Sequence, residues 1–88
     1  DILESVSTEL QLQRDSVLKV SALRSLGNVQ QQLGNSEESQ KNLQHSLKIA
    51  QRLQLPREIS LTEFSLGNTT FALGNINDAI IHYQNAAS

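Results

Sequence analysis

Apolar residues recur along the chain at intervals of three or four, the spacing that gathers them on one face of an α-helix. No stretch alternates apolar and polar residues as a half-buried β-strand does. The pattern predicts a first helix from residue 2 to about 13 and a second from Asp15 or Ser16, both good N-cap residues, to Gly34. The apolar positions are Ile2, Leu3, Val6 and Leu10 in the first helix, and Val20, Leu23, Leu26, Val29 and Leu33 in the second.

The same pattern predicts three further helices. The third begins at Asn35 or Ser36, has two acidic residues in its first turn, and ends before Pro56. Pro56 suits the first turn of a fourth helix because proline has no N–H to leave unpaired, and that helix stops at Gly74. Asn75 or Asn77 caps the fifth. The buried stripe of the third helix is expected at Leu43, Leu47, Ile49, Ala50 and Leu53, and that of the fifth at Ala79, Ile80, Tyr83 and Ala86.

Two segments carry the same residues 40 positions apart. Ser25-Leu26-Gly27-Asn28, followed by Leu33-Gly34-Asn35, recurs as Ser65-Leu66-Gly67-Asn68, followed by Leu73-Gly74-Asn75. Identities in fixed register indicate an internal repeat, and this period is typical of arrays whose units bury their faces against each other. Glycine inside a helix costs about 1 kcal/mol relative to alanine, so Gly27 and Gly67 are expected where a neighbouring helix approaches closely.

Composition narrows the class of protein. The 88 residues allow one small domain, and a net charge of −2 argues against binding to nucleic acid or to an anionic membrane. The absence of cysteine excludes disulfides and thiolate metal sites and fits a cytoplasmic protein. No apolar run approaches the roughly 20 residues of a membrane span. The chain also has no methionine, so we expect it to be a piece of a longer protein.

The repeated unit resembles the tetratricopeptide repeat (TPR) family. The second unit matches the family at Leu66, Gly67, Gly74 and the Ala79, Tyr83, Ala86 run, and the first at Leu23, Leu26, Gly27, Gly34 and Leu43. Ser39 and Ser46 stand where the family prefers alanine, and serine is small enough to keep the close packing. Glu63 and Thr70 stand where it usually has a large apolar residue and an aromatic.

The resemblance implies an all-α fold, a right-handed solenoid of antiparallel helix pairs with five helices here. Residues 1–14 would be the second helix of a truncated preceding unit, 15–54 repeat one and 55–88 repeat two. The period of 40, longer than the common 34, is similar to that of TPR arrays in bacterial signalling proteins.

The resemblance also implies a concave face, lined by the first helix of each unit, that binds a peptide or protein segment. Family positions place on it Ser21, Arg24, Asn28, Gln31 and Gln32, and then Leu61, Phe64, Asn68, Phe71 and Ala72. Steps of three and four keep most of these on one helical face. Asn28 and Asn68 occupy equivalent places, and an amide can both donate to and accept from a peptide backbone. Arg24 is the one cation of the set, which argues against recognition of a free carboxylate terminus.

Alternatives to a peptide groove remain open. Ile76, Ile80, Ile81 and Ala87 would leave apolar surface at one end of the stack, so self-association through open helical ends is a second function. No nucleophile–base pairing or cofactor motif occurs, and His45 and His82 have no second ligand at metal-binding spacing. The sequence therefore predicts protein–protein interaction without catalysis, cofactor or metal.

Overall fold

The fold is all-helical in a computed structural model that describes the backbone of residues 2–88 and the side chains of Thr8, residues 10–12 and residues 14–88. Within residues 2–88, four helices follow one another: α1 (Ile2–Gln32), α2 (Ser36–Arg52), α3 (Pro56–Ala72) and α4 (Ile76–Ala87). They pack as adjacent antiparallel pairs, and α1 also contacts α3. None of the described helices combines the length and the apolar character needed to cross a membrane.

A single helix replaces the two that the sequence predicts before Gly34. α1 continues through Asp15 and Ser16, so the structure has four helices rather than five, and the boundary between residues 14 and 15 falls inside α1. Aspartate and serine favour helix starts, but each costs only roughly 0.5 kcal/mol within a helix. No glycine or proline precedes Gly27 to stop it. The expected apolar positions Ile2, Leu3 and Val6 lie outside the described side chains.

Three turns with the same hydrogen-bond pattern join the helices. The turns are Leu33-Gly34-Asn35, Leu53-Gln54-Leu55 and Leu73-Gly74-Asn75. In each, the third residue donates its N–H to the carbonyl five residues earlier, at 2.8–3.0 Å. The middle residue has a positive φ: 87° at Gly34, 54° at Gln54 and 85° at Gly74. The predicted glycine stops are therefore confirmed, and Gln54 takes the same backbone role without being glycine.

The core lies between the first helix pair and α3. Val20, Ile49 and Ala50 form a buried cluster against which Leu23, Leu55 and Ile59 pack. The predicted stripe of α2 is confirmed at Leu43, Ile49 and Ala50, which are buried, while Leu47 is half-buried. Leu53 is exposed because it lies in the turn after α2.

The predicted burial of α1 is correct for Val20 but not for Leu26, Val29 and Leu33, which are exposed. Of their equivalents 40 residues later, Leu66 and Thr69 are fully buried and Leu73 is half-buried. Thr69 and Thr62 on that face of α3 meet serines of α2. No described helix lies against the corresponding face of α1, so its apolar residues remain in solvent.

Two buried serines of α2 contact both α1 and α3 through their hydroxyls. Ser39 donates its hydroxyl to the carbonyl of Gly27 at 2.6 Å and lies 2.9 Å from the hydroxyl of Thr69. Ser46 donates to the carbonyl of Val20 at 2.9 Å and lies 3.5 Å from the hydroxyl of Thr62. These serines are the positions where the family prefers alanine. Their hydroxyls add polar links between α1, α2 and α3 within a close-packed interface.

Candidate functional site

Arg24, the one cation among the predicted groove residues, is paired within the chain. Its guanidinium forms an ion pair with the carboxylate of Glu58 at the start of α3, and the two side chains are 16% and 15% exposed. The same guanidinium lies 3.4 Å from the hydroxyl of Ser21. Glu58 was not predicted as a site residue. Because Glu58 already balances its charge, Arg24 positions α3 beside α1 rather than offering a free cation to an acidic ligand.

Apart from Ser21 and Arg24, the predicted residues of α1 are amides near its C-terminal end. Asn28 and Gln32 are exposed, and Gln31 is half-buried. The residue equivalent to Tyr83 in the first unit is Leu43, which has no hydroxyl to bond Asn28. The exposed amide of Asn28 is thus available both as a donor and as an acceptor.

Asn68 differs from its equivalent Asn28 because Tyr83 of α4 holds it. The Tyr83 hydroxyl donates to the Asn68 side-chain oxygen at 2.6 Å. The Tyr83 ring also packs against Phe64, with centroids 5.7 Å apart and planes tilted by 54°. Tyr83 holds the side-chain oxygen of Asn68, and the side-chain N–H groups of Asn68 take no part in this hydrogen bond. Sequence reasoning placed Tyr83 in the helix-packing stripe and missed this role.

The predicted groove residues of α3 include a row of exposed apolar side chains. Leu61 is 38% exposed, Phe64 55% and Phe71 58%. Positions 61, 64, 68 and 71 step along one face of the helix, so Asn68 lies between the two phenylalanines. Ala72, at the end of α3, lines a surface cleft of about 410 Å³ with Leu73 and the segment Gly34–Glu38. This row is the largest apolar feature of the predicted face.

A buried carboxylate pairs with histidine between α3 and α4. Glu63 is 4% exposed, and its Oε2 lies 2.7 Å from Nδ1 of His82 and 3.5 Å from the amide nitrogen of Asn85, which donates to it. The sequence marked Glu63 only as a departure from an apolar position. An antiparallel pair brings residues equidistant from its turn together, and Glu63 and Asn85 each lie 11 residues from Gly74. His82 lies one helical turn before Asn85, so it could have been placed near Glu63 from the sequence. Among the described residues, no group of acidic and histidine side chains could hold a metal ion.

Comparison with known proteins gives one family match. The family model described as tetratricopeptide repeat matches residues 18–88, which include the last part of α1 and all of α2, α3 and α4. No curated protein and no solved structure matches the chain. The match covers both repeated glycines and every predicted groove residue.

Proposed function

This chain belongs to the tetratricopeptide repeat family, and we propose that it binds an extended or helical segment of another protein on the face shared by α1 and α3. A TPR domain is a general protein–protein interaction module and is typically non-catalytic. The proposal therefore involves a protein partner and neither catalysis nor a cofactor. The observation that supports this face is the exposure of both phenylalanines of the chain beside Asn68.

Exposed aromatic rings favour a binding role for α3. Phe64 and Phe71 are each more than half exposed, although a phenylalanine gains about 1.5–3 kcal/mol when fully buried. Apolar patches rimmed by polar residues typically mark interaction surfaces. Here the polar residues are Asn68, which lies between the two rings, and the predicted amides of α1. A partner that covers Phe71 would gain burial that the chain itself does not provide.

The two units contribute different chemistry to this face. Ser21, Asn28, Gln31 and Gln32 make the first unit polar, while Leu61, Phe64, Phe71 and Ala72 make the second apolar. With Arg24 paired to Glu58, the first unit offers amide hydrogen bonds rather than charge. The segment would therefore place its apolar anchor at α3 and its polar backbone along α1. Amide contacts of this kind tolerate many partner sequences.

A displayed peptide library, selected on the chain and counter-selected on Phe71→Arg, would isolate segments that need this face. Selected peptides are then titrated against Phe71→Ala and Asn68→Ala. The first should weaken binding by about 1–3 kcal/mol and the second by nearer 1 kcal/mol. Asn28→Ala removes an amide that Tyr83 does not hold, so it reports amide contact without disturbing that hydrogen bond.

The matched control is Ile81→Ala, because Ile81 is 52% exposed but lies on α4. It should leave peptide affinity unchanged, and thermal melts must show that every variant is folded. Equal affinity of wild type, Phe71→Ala and Asn68→Ala in folded protein would place the site elsewhere.

A further inference from the structure

Three polar pairs join the first unit to the second across the junction of α3 with α1 and α2. Two are hydroxyl pairs between α2 and α3, and one is the ion pair between α1 and α3. They are Ser39 with Thr69, Ser46 with Thr62, and Arg24 with Glu58. These pairs determine the position of α3 along the axes of α1 and α2. They also show which residues of one unit face which residues of the next unit in this chain.

Because the sequence repeats with a period of 40 residues, each of these pairs has equivalent positions at the two ends of the molecule. Adding 40 to the residues of the first unit leads to α3 and α4, and subtracting 40 from those of the second leads to α1. The three pairs then become Ala79 with Val29, Ala86 with Ala22, and Phe64 with Leu18. Every polar pair is replaced by an apolar pair on both sides. If the two ends joined in this register, these six side chains would bury no unpaired polar group, because all six are apolar.

Several of these end residues are large apolar side chains in solvent. Leu18 is 61% exposed, Phe64 55%, Val29 52% and Leu26 47%. At the internal junction the equivalent of Leu26 is Leu66, which is fully buried. On the other end, Ile80 of α4 is 48% exposed. Large apolar side chains are therefore left exposed by the described residues on both halves of the junction, whereas Ala79 is 1% exposed and Ala86 half-buried within the chain itself.

We propose that copies of this chain stack head to tail, with α3 and α4 of one copy against α1 of the next, in the register of the internal junction. The occupant is a second copy because α3 and α4 are equivalent, residue by residue, to α1 and α2, on which α3 packs within the chain. The exposed face of α1 is likewise equivalent to the face of α3 that makes this contact. This inference goes beyond the peptide face, since its partner is a second copy and its surface includes α4. Of the residues assigned to the peptide face, only Phe64 also belongs to the three equivalent pairs.

The charged residues of α1 are compatible with this arrangement. Leu55 and Ile59, which pack on the core cluster containing Ile49 and Ala50, correspond to Asp15 and Lys19. Neither Asp15 nor Lys19 belongs to the three equivalent pairs, and both side chains are exposed. The junction joins different surfaces, so it does not close and stacks grow with concentration.

The test measures the mass of the 88-residue chain by sedimentation velocity and light scattering from about 1 μM to about 1 mM. The weight-average mass should rise continuously with concentration, without a plateau at a dimer. Leu18→Glu and Phe64→Arg should each weaken association at least about tenfold, because each places a charge against an apolar partner. The double variant, Leu18→Glu with Phe64→Arg, recreates at the junction the ion pair of Arg24 with Glu58 and should associate again.

Salt separates the two kinds of junction. Association of the wild type should be insensitive to added NaCl, whereas that of the double variant should weaken because its ion pair is screened. A one-to-one mixture of the two single variants provides a second rescue, since each variant keeps the face that the other needs. The matched control is Phe71→Arg: Phe71 is as exposed as Phe64 and on the same helix, but it is not a member of the three equivalent pairs. It should leave association unchanged while abolishing peptide binding.

Four outcomes would overturn the stacking. Two concern the mass of the wild type: a closed dimer of fixed mass, or a monomer at every concentration, which would mean that something other than a second copy covers α1. The other two concern the variants: failure of both rescues in folded protein, or equal losses of association from Phe71→Arg and Phe64→Arg. Leu18→Glu separates the two proposals, because Leu18 is not among the residues assigned to the peptide face and this variant should still bind the selected peptides.

Discussion

Tyr83 occupies the space that a side chain at Gly67 would need. A Cβ at position 67 would lie 2.5 Å from Cε1 of Tyr83. The same relationship recurs in the first unit, where a Cβ at position 27 would lie 2.6 Å from Cγ of Leu43. Both glycines lie within helices, where alanine would be favoured by about 1 kcal/mol. The gain from close helix packing therefore outweighs the helix propensity at both positions.

Gly67→Ala should destabilise the chain by about 1–3 kcal/mol, since Tyr83 must move to admit the methyl group. Gly67→Leu should cost at least as much. Tyr83→Ala in the Gly67→Ala background removes the clash, so the two substitutions should be non-additive in a double-mutant cycle measured by urea unfolding. A Gly67→Ala variant that is more stable than wild type would show that propensity dominates at this position.

The glycine contacts were predictable because a residue that costs helix stability recurred in fixed register, which requires a packing reason. The turns were predictable on similar grounds, through Gly34 and Gly74. The continuity of α1 was not predictable, because Asp15 and Ser16 permit a helix start without enforcing one. The exposure of Leu26 and Val29 was not predictable either, since an apolar pattern identifies the face of a helix but not whether another helix covers it.

The candidate site was predicted in part. Family positions named Phe64 and Phe71, and the structure leaves both rings exposed, but their binding role remains a proposal. The pairing of Arg24 with Glu58 was missed because the two residues are distant in sequence and the pair depends on how α3 lies beside α1. The sequence showed each polar residue but not its partner.

His82→Ala should destabilise the chain by about 1–3 kcal/mol, because it removes the nearest partner of the buried Glu63 carboxylate. Glu63→Leu should stay within about 1 kcal/mol of wild type or exceed it, since it removes the buried carboxylate itself, and its partners His82 and Asn85 both reach solvent. Position 23, the equivalent of 63, already carries leucine. Thermal melts would compare both variants with His45→Ala, a control on the exposed His45.

That pair of variants has a clear contrary result. If Glu63→Leu destabilises the chain more than His82→Ala does, the carboxylate itself holds α3 and α4 together, and the pair is a net source of stability.

Gln54→Gly should stabilise the chain by about 0.5–1 kcal/mol, because the left-handed conformation at φ 54° is strained for any residue with a Cβ. Gly34→Ala is the matched control and should have the opposite effect. A Cβ at Gly34 would meet nothing within 4 Å, so its cost is conformational alone. Chemical denaturation of both variants would measure the difference, and destabilisation by Gln54→Gly would mean that the Gln54 side chain makes a contribution larger than the strain.

Ser39→Ala should destabilise the chain by about 1 kcal/mol, because it leaves the buried hydroxyl of Thr69 without its partner on α2. Thr69→Val alone should cost a similar amount. The double variant should return close to wild-type stability, since replacing both hydroxyls with apolar groups of similar shape leaves neither hydroxyl unpaired. The bond from Ser39 to the carbonyl of Gly27 is the one contact that it does not restore.

The double variant, Ser39→Ala with Thr69→Val, places alanine opposite valine at the internal junction. Ala79 and Val29 are the equivalent residues at the two ends of the chain. Ser25→Ala, at an exposed position of α1, is the control and should change the free energy of unfolding by less than about 0.5 kcal/mol. Additive losses in the double variant would show that the hydroxyls contribute through other contacts. An apolar pair would then be a poor substitute at that junction, which would also weaken the expectation that two copies stack through Ala79 and Val29.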